Sequence, residues 1–202
     1  KLNNSATLDL NSGYTVGVPQ LFQTNGLISG SDNLVVSNLW ICSNGDLDGT
    51  GRFELRGNSL INGGPRWTGR RVVNYGQLNW ASGDIEAGLG LFLHNDINGV
   101  FGLTSDRNFT ASYGGTTTFL NEGSFRKDAS GTNGFGTSTL LIPFINNGSV
   151  AINSGRVQFN GGFTQTNGSL TVNGAAVGST KPFLVYGGVI TGHGDIFGSV
   201  SN

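Results

Sequence analysis

Residues Val73-Asn74-Tyr75-Gly76-Gln77-Leu78, Leu120-Asn121-Glu122-Gly123-Ser124-Phe125 and Ile145-Asn146-Asn147-Gly148-Ser149-Val150 spell one phrase three times: an apolar residue, Asn, any residue, Gly, then alternation. The last two copies lie 25 positions apart. A second phrase, Gly45-Asp46-Leu47-Asp48-Gly49-Thr50-Gly51-Arg52-Phe53, is echoed from Gly26, from Gly83 and from Gly188, each with an apolar residue two places after the glycine. Gly26 and Gly45 are 19 apart and Gly83 lies 38 further on, with Gly64 at the skipped position. After residue 145 the punctuation quickens. Asn153-Ser154-Gly155, Asn160-Gly161-Gly162, Asn167-Gly168 and Asn173-Gly174 separate alternating runs such as Val150-Ala151-Ile152 and Leu170-Thr171-Val172, each with the length and period of a short strand.

Asn/Gly corners between short strands suit antiparallel hairpins or the corners of a solenoid. Sandwiches and barrels turn every 8 to 12 residues or so without a longer recurrence, whereas phrases that return at about 19 to 25 residues mark single turns of a solenoid. The sequence therefore predicts an all-β, single-stranded parallel β-helix (β-solenoid) as one domain over residues 1–202. At a rise of about 4.8 Å, roughly eight to ten such turns make a rod on the order of 40–48 Å long. Alternating Leu, Val, Ile and Phe would face inward and stack on their equivalents, so that each coil is stabilised by its neighbours.

Composition excludes the competing classes. The 202 residues include 35 Gly and 23 Asn, and charged residues make only 11%, a poor mixture for helices, in whose interior each Gly costs about 0.5–1 kcal/mol. Hydrophobic residues at 36%, with 13 Phe, exclude disorder, and no Gly-X-Y period suggests collagen. A net charge of −1 offers no field for nucleic acid. The longest apolar runs, Leu140 to Ile145 and Phe183 to Tyr186, are too short to span a bilayer. Neither a nucleic-acid partner nor membrane insertion is expected. Cys42 stands alone and forms no internal disulfide. With no initiator Met, no leader and patterned sequence at both ends, the chain reads as a processed product or a module of something longer.

The stretches Leu34-Val35-Val36, Val72-Val73-Asn74, Phe119 to Ser130, Pro143 to Val150 and Leu170-Thr171-Val172, with the closing Gly187 to Asn202, resemble the repeats of large secreted bacterial β-solenoid proteins of autotransporter or adhesin type. The resemblance runs from about residue 26 to the end and is one of composition and rhythm. It implies a β-helix, usually right-handed, in an extracellular or cell-surface location, serving as stalk, adhesive surface or matrix fibre. It brings no catalytic signature, so it speaks for shape more than for function.

The residues themselves offer little chemistry. His94 and His193 lie 99 positions apart without His or Cys at ligand spacing, so no metal or other cofactor is expected. There is no Gly-x-Ser-x-Gly elbow, so no catalytic residue is assigned. Asp46 and Asp48, then Asp84 and Glu86, fall at matching places two coils apart if the 19-residue period holds. They would form an acidic strip suited to Ca²⁺ or a sugar chain, or serve as ordinary corner residues whose carboxylates accept backbone N–H groups; the second is the simpler expectation.

Arginine gives the strongest local signal. Arg52, Arg56, Arg66, Arg70 and Arg71 fall within 20 residues, opposed only by Glu54, with Trp40, Trp67 and Trp80 in or beside the stretch. A groove of guanidinium forks and indole faces suits an acidic polysaccharide, which makes Arg52, Arg56, Trp67, Arg70, Arg71 and Trp80 the candidate glycan-binding set. Against this, Trp80 alternates with Leu78 as an inward residue would. Thr116-Thr117-Thr118 offers a rank of hydroxyls that does not recur from coil to coil. The tail Ile190 to Val200 keeps the repeat rhythm, so this end is expected to abut more chain or another copy end to end. The leading expectation is a structural or adhesive scaffold at a bacterial surface, and the rival a carbohydrate-binding or carbohydrate-active module for a surface polysaccharide.

Overall fold

The computed structural model describes residues 2–130 and 136–202. Among these, 28 strands form two sheets, one of 18 strands and one of 10, and no residue is helical. Strands pair in parallel with the equivalent strand one winding away. The expected β-solenoid is therefore present, and the ten strands of the smaller sheet count about ten coils.

From the fourth coil onward each coil has two strands in the large sheet and one in the small. In coil 5 these are Arg71–Asn74, Gln77–Ser82 and Ile85–Gly88. Coils 2 and 3 run the large-sheet pair together as the long strands Val16–Gln23 and Leu34–Cys42. Leu34–Cys42 pairs with Arg52–Leu55 along its first part and with Asn58–Asn62 along its second, so the corner first opens in coil 4.

The Asn-x-Gly phrase builds that corner. Asn74, Asn95, Asn121, Asn146 and Gln165 all point inward and are fully buried. The Nδ2 of Asn74, Asn95 and Asn121 each donates to the side-chain oxygen of the next member at 2.8 Å, and Asn146 donates to Gln165 Oε1 at 3.0 Å. The same nitrogens donate to the backbone oxygens of Val100, Ser124, Ser149 and Ser169, just past the corner of the coil above. A buried amide is tolerated because it is bonded, and here every bond also ties two coils together. The glycine of the phrase closes the corner. A Cβ on Gly76, Gly123 or Gly148 would fall on the carbonyl oxygen of Gly57, Gly99 or Gly123 directly below.

The corner leading to the small sheet is satisfied by more varied side chains. Gln23 Nε2, Cys42 Sγ and Trp80 Nε1, which share one column of the register, each donate to the carbonyl three residues ahead, on Gly26, Gly45 and Gly83. Burial pushes the Cys42 thiol up to about 12.

Between the sheets lies one continuous apolar core. One column reads Phe53, Val72, Leu93, Phe119, Phe144, Phe163, Phe183. Its rings meet at 4.9 Å for Phe119–Phe144 and 5.8 Å for the stacked Phe144–Phe163 pair. The expected inward alternation of Leu, Val, Ile and Phe is therefore observed.

The coil length is less uniform than the glycine spacing implies. Successive members of the amide column lie 21, 26, 25 and 19 residues apart. In the small sheet Leu47 pairs with Trp67 and Arg66 with Glu86, an advance of 20 per coil at this point. Two coils above Asp46 stands Glu86, with Arg66 between, and Asp84 drops out of the match.

Replacing Asn121 by Leu should leave the neighbouring Asn95 and Asn146 amides and the Ser149 carbonyl short of a partner inside the core. A loss of about 2–3 kcal/mol in denaturant unfolding is expected, whereas Asn147→Ala, beside the column but outside it, should be near neutral.

Candidate functional site

The exterior of the large sheet across coils 4 to 7 carries arginine, tyrosine, histidine and carboxylate side chains. The first strands of these coils are Arg52–Leu55, Arg71–Asn74, Phe92–Asn95 and Thr118–Asn121. Because alternate residues of a strand share a face, Phe53, Val72, Leu93 and Phe119 turn inward, and three outward ranks remain. The first rank is Arg52, Arg71, Phe92, Thr118, and the second is Glu54, Val73, His94, Leu120. The third follows the amide column: Arg56, Tyr75, Asp96 and Glu122. The N–H groups of the third rank donate to the carbonyls of Val36, Leu55, Asn74 and Asn95 in the coil below.

In coils 4 and 5 the ranks interlock around Glu54, which is largely buried on the outer face. Arg56 Nη2 bonds its carboxylate at 2.7 Å, and Arg52 Nε lies 3.3 Å from the other oxygen as an ion pair. Arg52 also donates to the Tyr75 hydroxyl. The guanidiniums of Arg52 and Arg56 stand 5.9 and 5.8 Å from the Tyr75 ring centre, and a recess of about 410 Å³ opens beside Arg56 and Tyr75. Arg71 is exposed, rests over Phe92 at 5.0 Å and has no carboxylate partner among the described residues. In coils 6 and 7 the sign reverses. His94 Nε2 lies 2.7 Å from Glu122 Oε2, and donor atoms of His94, Asp96 and Glu122 all lie within 4.8 Å of one another.

Only part of the expected glycan-binding set reaches this surface. Arg52, Arg56 and Arg71 do. Trp67 and Trp80 are in the core with Trp40, where Trp67 packs on Trp40 at 5.9 Å and Trp80 on Phe109 at 6.1 Å, so no indole face is free for a sugar ring. Arg70 is fully buried as well. Its Nε donates to Asp48 O at 2.9 Å, Nη2 to Gly30 O at 3.0 Å and Nη1 to Asp32 O at 3.4 Å, so one guanidinium binds three carbonyls at the two turns below it. Burial pushes Arg70 below its ordinary value, opposed by the charges of Asp48 and Asp32.

The acidic residues are engaged at corners. Asp46 Oδ1 accepts the Arg66 N–H at 3.2 Å and its Oδ2 pairs with the Arg66 guanidinium at 2.7 Å. Asp48 accepts from Thr68 Oγ1, Asp84 from the Asn108 N–H, and Glu86 from the Tyr113 hydroxyl. Thr117 is buried, which breaks the rank of three hydroxyls. The carboxylate of Asp32 takes hydrogen bonds from Ser12 Oγ and N at 2.6 Å each and from Gly13 N at 2.9 Å, and the Ser12 hydroxyl above all holds its pKa below the ordinary 3.8.

Tyr75, Asp96 and Glu122 escaped the sequence reading although each follows a ladder asparagine. Two of them are the variable residue of an Asn-x-Gly phrase. In coil 6 the phrase is stretched to Asn95-Asp96-Ile97-Asn98-Gly99, and the extra residues are turned back by a Gly99 N–H bond to Asp96 O at 2.7 Å. That insertion conceals the match.

No helix among the described residues is long and apolar enough to cross a membrane. Comparisons with protein-family models, with curated proteins and with solved structures find no match to this chain.

Arg70→Met should cost about 2–3 kcal/mol in unfolding experiments, since it removes the guanidinium donor from the carbonyls of Asp48, Gly30 and Asp32 in the core, and should do so without altering surface binding. Because the Asp32 pKa is lowered on folding, its contribution is present above about pH 3.8 and lost as the pH falls through the lower folded value. Acid titration of stability should accordingly be less steep in Asp32→Asn than in the parent.

Proposed function

We propose that the chain is an extracellular structural or adhesive scaffold of a bacterial surface, a stiff solenoid whose end coil pairs with other copies of itself. The observation that supports this reading is the last coil. Strands Val189–Gly192, Asp195–Phe197 and Val200–Ser201 keep the register of the coils before them, yet nothing in the described residues lies over them. Val189, Ile196, Phe197 and Val200 are 54%, 38%, 46% and 52% exposed. An open parallel edge with apolar side chains is a template for the next layer, and a coil is stabilised only by a neighbour. The resemblance to secreted bacterial solenoids supports the location.

A second reading, binding of an acidic polysaccharide, rests on one specific observation. Arg52 and Arg71 occupy the same register position on adjacent coils, roughly 4.8 Å apart along the axis, with Arg56 beside them. Forked guanidiniums in file match carboxylates on a polymer. Here the arginines act without the indoles.

For the scaffold, light scattering over a concentration series should reveal end-to-end multimers, and Ile196→Lys with Val200→Lys should abolish them. A parent protein that stays monomeric at the highest concentration, with the variant indistinguishable from it, would refute self-association. For the glycan reading, polygalacturonate binding should weaken roughly tenfold, about 1.4 kcal/mol, in Arg56→Ala/Arg71→Ala and fall steeply with salt. Equal binding by parent and variant removes that reading.

A further inference from the structure

We infer that His94, Asp96 and Glu122 form a binding site for a divalent transition-metal ion of the zinc class, which fastens coil 6 to coil 7. The sequence shows no such site, because the residues are two and then 26 positions apart. The longest step of the amide column, the 26 residues from Asn95 to Asn121, is what brings Glu122 over Asp96.

Three observations carry the assignment. First, the positions are fixed by the backbone. His94 lies within the strand Phe92–Asn95, and the N–H groups of Asp96 and Glu122 bond to Asn74 O at 3.0 Å and Asn95 O at 2.8 Å, either side of the buried amides. Second, the donor atoms lie within 4.8 Å of one another, with His94 Nε2 already 2.7 Å from Glu122. Ligands bonded to one zinc ion at about 2.0–2.2 Å are separated by roughly 3.4 Å, so small rotations of two carboxylates at the surface close the set. Third, the group is short of positive charge and of hydrogen bonds. Among the described residues no Lys or Arg pairs with Asp96 or Glu122. His94 is nine-tenths buried and its Nδ1 has no partner. The backbone N–H of Asn98 approaches Asp96 only at 3.5 Å. Two carboxylates held this close repel each other, and a dication relieves that repulsion while using the imidazole as a ligand.

The donor set selects the metal class. One imidazole nitrogen with two carboxylates suits Zn²⁺, Mn²⁺ or Co²⁺, while Ca²⁺ and Mg²⁺ prefer oxygen alone. Three protein ligands leave at least one coordination position for water or for an anionic group of a partner. The ion would brace the molecule where Ile97 and Asn98 are inserted and the amide column takes its longest step.

The test uses the whole chain, freed of any affinity tag and stripped with chelator, titrated with Zn²⁺ against a chromophoric competitor. One zinc per chain is expected, with thermal unfolding shifted upward by excess zinc. Glu122→Gln, a surface change that leaves the fold intact, and His94→Gln should each weaken binding by about tenfold or more and remove the thermal shift. His193→Ala, the distant histidine, should do neither. Millimolar Mg²⁺ should not displace the zinc. Absence of stoichiometric binding, binding unchanged in both variants, or loss on His193→Ala would overturn the assignment.

Discussion

A primary amide in an apolar interior is stable only when both its donor and its acceptor ends are used, and the column Asn74, Asn95, Asn121, Asn146, Gln165 meets that condition by joining each coil to the next. This makes the register all-or-none. A slip of one residue would turn each amide outward and bring a polar or charged third-rank residue such as Asp96 or Glu122 into the core. Variation in coil length is therefore confined to places the column does not feel. Ile97 and Asn98 loop outside the corner, and residues 111–117 and 128–130 lie between strands rather than within them.

Filling the interior is a second constraint, and it interacts with the first. The N-terminal half carries three indoles and the C-terminal half a file of phenylalanines. A column that stacks like on like cannot hold an indole in every layer at a spacing of about 4.8 Å. The structure answers with small residues: Ser59 takes the position above Trp40, and Ala87 the position above Trp67. Trp40 and Trp67 then meet at a tilt of 34° and Phe53 turns its edge to Trp40. Close packing of that kind leaves the tryptophans no role at the surface.

Much of this was legible in the sequence. The Asn-x-Gly phrase announced the corners, alternation announced the strands, and the return at 19 to 25 residues announced the winding. What remained hidden has physical causes. Arg70 sits beside Arg71 and looks like its twin, but strand alternation applies to Arg71 alone; Arg70 belongs to the turn before the strand, where the carbonyls of the turns below draw a guanidinium inward. Trp67 lies next to Arg66 and faces the other way. The acidic residues misled because a spacing read from glycines drifts by a residue per coil in the small sheet. Asp46 thus meets Arg66, and the residue in line two coils above it is Glu86 rather than Asp84. The pairing of His94 with Glu122 depends on a step five residues longer than the one below it.

The register that the amides impose also governs the exterior. Every outward residue stands over its equivalent, so like charges meet at short range unless something intervenes. Arg52 and Arg71 are such a pair, and each is drawn aside, Arg52 onto Glu54 and Tyr75, Arg71 onto the ring of Phe92. Asp96 and Glu122 are the matching acidic pair, and among the described residues the ring turned toward them is the His94 imidazole. In the first case the chain supplies its own counter-groups in full. In the second it supplies them in part, and the backbone spacing set from within keeps the two side chains on adjacent coils at the same position. An exogenous cation would complete the balance at that position, and this asymmetry along one strip is what separates coils 6 and 7 from coils 4 and 5.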